Sequence, residues 1–145
     1  MKKIIKIILI IILTLPLAFL LLVPLANNYS AAKVANRLKN IPLPEKTEYI
    51  DSVSAAGKLI GNGNGMEYLG AILIQSELSE DELNQYYAEV DGDCWVSAQE
   101  GKNVDFIEHG TVFFTADMLP DKQYYIVSAW GEGIEPFAMF DLRGH

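Results

Sequence analysis

Few side chains in this sequence have types and spacings that could do chemistry. Cys94 is the single cysteine, and the two histidines are His109 and His145. If strands carrying Cys94 and His109 were paired, the imidazole could take the thiol proton, and Glu108 or Asp105 could orient the ring as in a thiol nucleophile site. The plainer reading makes Cys94 a small buried residue beside Trp95 and His109 an ordinary strand or loop residue. No cation flanks Cys94 in sequence, and Asp91 and Asp93 disfavour a thiolate there, so a structural cysteine is expected. No serine sits in a G-x-S-x-G elbow, so a serine nucleophile has no support either.

Glu89, Asp91 and Asp93 place three carboxylates at alternate positions, a pattern that could present oxygens to calcium. Trp95 stands where the next side-chain oxygen should be, so a solvated acidic loop is expected. Zinc has no paired Cys or His spacing to use. The stretch Ile60-Gly61-Asn62-Gly63-Asn64-Gly65-Met66 resembles a phosphate cradle, but it lacks the third glycine of G-x-G-x-x-G and the lysine of a P-loop. The residues after Gly65 read as a strand rather than the helix that a phosphate site needs. Two Asn-Gly pairs point to a hairpin turn instead. Trp95, Trp130, Tyr86-Tyr87 and Tyr124-Tyr125 could line a sugar- or peptide-binding face, although such residues more often fill a small sheet's core. No catalytic, cofactor-binding or metal-binding residue is assigned.

The elements that would position these groups emerge from the patterning. Residues 7–26 carry no charge, and twenty residues rising ~1.5 Å each span the ~30 Å hydrocarbon core of a bilayer. A transmembrane helix is expected there. Lys2, Lys3 and Lys6 abut it directly, whereas Lys33 lies further off on the other side. This places residues 1–6 as a cytoplasmic tail and the rest outside. Residues 27–46 read as a juxtamembrane helical stalk, with Ala31, Val34, Leu38 and Ile41 on one face, closed by the spacer Ile41-Pro42-Leu43-Pro44.

Residues 47–145 read as one α+β domain. Thr47 to Ile60 and Met66 to Gln75 form two strands, the second apolar on both faces. Ser79 and Glu82 form a capping box with Leu78 and Leu83 as a hydrophobic staple, opening a helix whose inner face is Leu83, Tyr86, Tyr87 and Val90. Cys94–Gln99, Val104–Thr115 and Tyr124–Trp130 then read as three more strands, and Phe137–Phe140 as a short strand or a packed tail. The order is strand, strand, helix and three strands in a largely antiparallel sheet with one packed helix.

The anchor, the proline spacer, GNGNGMEYLGAILIQSELSEDEL and a Tyr-Tyr pair followed by Cys-Trp resemble a group of small, uncharacterised membrane-anchored proteins of Gram-positive, Firmicutes-type bacteria. The resemblance implies a bacterial envelope location and brings no activity, substrate or site residues.

Charge narrows the function classes further. All nineteen acidic residues lie after position 44, and eight of the eleven basic residues lie beyond residue 26. Such a balance argues against nucleic acid and anionic polymers as partners. The expectation is a non-catalytic extracytoplasmic module, held in the membrane by residues 7–26, that binds an envelope protein or ligand. The alternative is an envelope enzyme, hydrolase-like, using Cys94, His109 or the acidic residues.

Overall fold

A computed structural model describes residues 2–145. The first element, α1, is one helix from Lys2 to Lys39, unbroken through Pro16 and Pro24. It has two environments. From Ile4 to Leu22 its side chains are exposed with the exception of Phe19, whereas Val23, Ala31, Val34, Ala35 and Leu38 are buried in the domain. The stalk expected over residues 27–46 does not stand apart; its Ala31, Val34, Ala35 and Leu38 are part of the core. The apolar spacing of that stretch is a core-facing stripe, and the sheet is what it faces.

After the prolines, β1 (Thr47–Gly57) and β2 (Glu67–Ser76) pair antiparallel, with a register irregularity between Tyr49 and Asp51. Helix α2 (Glu80–Val90) and β3 (Cys94–Ala98) come next, and then a long loop to β4 (Tyr124–Gly131). A single turn, α3 (Phe137–Phe140), and a 3-10 turn (Leu142–Gly144) close the described chain. The sheet order is β1-β2-β4-β3, antiparallel throughout, so the α+β class expected from the sequence is the class observed.

The doubly apolar pattern of β2 has its reason in the layers. Ile72 and Ile74 face one cluster with Val34 and Leu38 of α1 and Leu83 and Tyr87 of α2. Leu69, Ala71 and Leu73 face a second cluster with Val104 and Phe114 of the long loop. Gly70 lets α1 approach closely: a Cβ there would collide with the Ala35 backbone nitrogen and lie 2.6 Å from the Val34 carbonyl carbon.

The capping box forms as expected. The Ser79 hydroxyl accepts from the Glu82 N–H at 3.3 Å, and the Glu82 carboxylate accepts from the Ser79 N–H at 2.8 Å. Tyr87 is buried and Tyr86 half-buried, its hydroxyl donating to the Pro42 carbonyl, but Val90 at the helix end faces solvent.

One further expectation is corrected. Val104–Thr115 is not a strand; its only ladder contact is an isolated bridge between Asn103 and Phe113. Phe106 and Ile107, adjacent in sequence, both pack on the second cluster, and the alternation of a strand forbids that. The segment instead folds flat over the sheet, where Asp51 of β1 accepts bonds from the Thr115 and Ala116 N–H groups at 2.7 and 3.0 Å. Phe137–Phe140 is a packed helical turn, the second of the two readings given for it.

Candidate functional site

The structure separates Cys94 from His109. Cys94 opens β3, at one edge of the sheet, and packs on the cluster shared by α1 and α2. His109 lies beyond the opposite edge, where its Nε2 is 2.7 Å from the Gly61 carbonyl oxygen. The pairing that a Cys–His site required fails because β3 pairs with β4 and the His109 loop crosses toward β1. Burial first, and then the Asp91 carboxylate, push the Cys94 thiol up to about 11, so the thiolate that nucleophilic attack needs is disfavoured.

The glycine stretch joins β1 to β2, so it is a hairpin connection, though longer than a two-residue turn. Of its residues only Gly61 and Gly65 have positive φ, whereas an Asn-Gly turn would need it at Asn62 or Asn64 as well. The backbone donors at the start of the stretch are already engaged by the protein's own carboxylates. Glu67 accepts from the Leu59 and Ile60 N–H groups at 2.6 and 2.8 Å, and Glu108 accepts from Gly61 at 2.8 Å. An incoming anion would have to displace both.

Glu89, Asp91 and Asp93 do not converge. Asp91 pairs with Arg37 of α1 at 2.9 Å, Asp93 lies 3.9 Å from the same guanidinium, and Glu89 accepts from Gln85. No group of three or more His, Cys, Asp or Glu side chains is placed to hold a metal among the described residues. Asp91 and Asp93 of the acidic loop thus face the Arg37 guanidinium of α1.

Two features stand out among the described residues. The first is a cleft of about 660 Å³ between α1 and the β3–β4 end of the sheet, bordered by Lys33, Arg37, Asp93, Trp95 and Trp130; strand alternation sends the two indoles to the sheet face opposite α1, with the second cluster. The ring centroids of Trp95 and Trp130 are 6.3 Å apart, and Phe106 lies behind them at 6.3 and 6.4 Å. Trp95 keeps 37% of its surface exposed. Lys33 forms no salt bridge among the described residues, while Arg37 is partly neutralised by Asp91. The sequence gave no sign that α1 would bring Lys33 and Arg37 to the end of the sheet, because a stalk would have held them away from it.

The second is a polar knot where α1 enters the domain. Asn27 is buried; its amide donates to the Asp141 carboxylate at 2.8 Å and to the Phe137 carbonyl at 3.1 Å, and its oxygen accepts from the Tyr68 hydroxyl at 2.9 Å. Arg143 clamps Asp141 through both carboxylate oxygens at 2.9 and 2.7 Å and reaches Asn28 at 2.8 Å. The Arg143 bond, outweighing burial, with help from Asn27, holds the Asp141 carboxyl down at about 2. Nothing in the sequence singles out Asp141, since its partner Asn27 is 114 residues away and sits at the edge of the apolar run. Comparison with protein-family models, with curated proteins and with solved structures finds no match for this chain.

Proposed function

We propose that the protein is a single-pass membrane anchor continuous with a small extracytoplasmic binding module, the ligand entering the cleft between α1 and the β3–β4 end. The observation that carries this reading is the division of α1. The residues from Ile4 to Leu22, almost wholly apolar and exposed apart from Phe19, project from the domain and rise ~28 Å, close to the ~30 Å hydrocarbon core, and the same helix then becomes core. A cleaved leader fits less well, because Ser30 and Ala31, the small residues a peptidase would require, are buried in a continuous helix. The crowding of lysines at positions 2, 3 and 6 supports an outward-facing domain. The likeness to membrane-anchored proteins of Gram-positive bacteria supports an envelope location.

The cleft presents the Lys33 ammonium, which forms no salt bridge among the described residues, and this suits a ligand carrying an acidic group, such as an envelope component or a protein segment. A photo-crosslinking side chain at Glu132, on the cleft rim, should yield a discrete adduct in intact cells, whereas one at Asp121, in the loop at the other end of the sheet, should not. An impermeant maleimide should label a cysteine placed at Asp121 in intact wall-stripped cells. Failure of the first removes the binding site; failure of the second, with labelling only after lysis, reverses the orientation.

A further inference from the structure

The segment after β4 carries an apolar surface that no part of the protein covers. Ile134, Met139, Phe140 and Leu142 are 45, 66, 51 and 86% exposed. Four such side chains within nine residues of a strongly acidic domain form a patch rather than a scatter.

Its position is fixed by α1. Phe137 and Phe140 pack on Phe19, with ring centroids 5.6 and 5.5 Å away, one stacked and one edge-on. Asn27 holds the Phe137 carbonyl, and Arg143 reaches Asn28 and, at 3.3 Å, the Pro24 carbonyl. The tail is therefore fastened along α1 from the level of Asn28 down to Phe19, inside the uncharged run.

Helix geometry gives the depth. The freestanding part of the uncharged run, residues 7–22, is sixteen residues and rises only ~24 Å against a hydrocarbon core of ~30 Å. If hydrocarbon begins at Ile7, its far boundary falls near Ala26, and Phe19 lies about 10 Å beneath it. If Lys6 snorkels and the core begins at Ile4, nineteen residues rise ~28 Å and Phe19 still lies several ångströms below the edge. Either way, rings stacked on Phe19 reach the acyl region of the leaflet on the domain's side.

We propose that the segment Ile134–Leu142 is a second membrane contact, inserting Met139, Phe140 and Leu142 at the boundary between headgroups and acyl chains, so that the domain sits directly on the bilayer. The occupant of the apolar face is phospholipid, and it is recognised through hydrocarbon rather than through headgroup charge. The segment itself carries no cation, and Arg143, the residue after it, has donors already engaged by Asp141, Asn28 and Pro24; Glu132 lies just before the segment and Glu135 within it. Anionic lipid therefore gives no added attraction. This inference rests on the reading of residues 7–26 as a membrane span.

The test uses full-length protein carrying Cys94→Ala, reconstituted into phosphatidylcholine vesicles with or without phosphatidylglycerol. An environment-sensitive fluorophore is attached at Met139→Cys or Leu142→Cys, both exposed enough that packing is undisturbed. Leu13→Cys serves as the mid-span control and Asp121→Cys as the exposed-loop control. Lipids spin-labelled near the headgroup should quench positions 139 and 142 several-fold more strongly than position 121, equally in both vesicle types, while lipids labelled near the chain end should quench position 13. Quenching at 139 and 142 no greater than at 121, with 13 still quenched, overturns the inserted tail and leaves the anchor standing. Absence of quenching at 13 overturns the anchor and the tail together. Quenching at 139 and 142 that appears only with phosphatidylglycerol replaces insertion by electrostatic attraction.

Discussion

Replacing Leu38 tests whether the second half of α1 belongs to the core. Leu38 is fully buried among Ile72, Ile74, Leu83 and Tyr87, contributed by β2 and α2. Truncation to alanine at such a site costs about 2–5 kcal/mol, the upper end applying where the surroundings cannot close the cavity. Collapse is restricted here because the Gly70 backbone already touches the helix at Val34 and Ala35, so α1 has no room to settle deeper. A loss of about 3–5 kcal/mol is expected, which at roughly 4 °C per kcal/mol lowers the midpoint by about 12–20 °C. The assay is thermal unfolding of the full-length protein in detergent micelles, monitored by near-ultraviolet circular dichroism and the fluorescence of Trp95 and Trp130. Leu21→Ala, on the exposed part of the same helix, should stay within about 0.5 kcal/mol of the parent. Equal midpoints for Leu38→Ala and Leu21→Ala would refute the placement of residues 31–38 in the core.

Other contacts give further expected outcomes. Ser79→Ala should lower stability by about 0.5–2 kcal/mol through loss of the cap, and unchanged chemical unfolding would mean that the capping box contributes nothing. With its thiol pushed up to about 11, Cys94 should be alkylated more slowly in the folded than in the denatured protein at neutral pH; faster labelling of the folded form would restore the nucleophile reading. The Asp141 carboxyl is depressed from 3.8 to about 2 in the folded state. Its contribution is therefore complete above the unfolded value and lost as pH falls from about 4 toward 2. Asp141→Asn should flatten that part of the stability–pH curve, and an unaltered curve would show that the clamp contributes no linkage.

The sequence was most legible where local chemistry decides structure. The capping box of Ser79 and Glu82 needs only four residues in the right order, and the doubly apolar β2 announces a strand covered on both faces without saying by what. The illegible parts are those whose meaning depends on a distant partner. Ala31, Val34 and Leu38 carry the same helical spacing whether they face lipid, another helix or the sheet, and only the close approach at Gly70 distinguishes these cases. Val104–Thr115 has strand-like composition, yet Phe106 and Ile107 are both drawn to the same cluster, and tertiary burial overrides the propensity. For the candidate site, Lys33 and Arg37 were visible in the sequence, but not that α1 would hold them against the end of the sheet. The Asn27–Asp141 bond, with a separation of 114 residues, has no local signature at all.

With α1 as both span and core, as proposed, the domain would have no free tether about which to turn, and the height of the cleft above the bilayer would become a structural constant. Lys33 and Arg37 lie eleven and fifteen residues beyond Leu22, placing them about 16 and 22 Å further along the axis. The polar knot of Asn27, Asp141 and Arg143 braces the helix between these two levels, and its cost of burial is offset only while all three partners are present. A flexible spacer would let the cleft sample ligands far from the membrane; a rigid one confines it to whatever lies within a few nanometres of the headgroups. Among ligands that carry an acidic group for Lys33, this geometry favours those themselves confined to the membrane surface, such as the head of an envelope amphiphile or the juxtamembrane segment of a neighbouring protein. Their local concentration near the bilayer supplies the effective molarity that a small, open cleft lacks on its own.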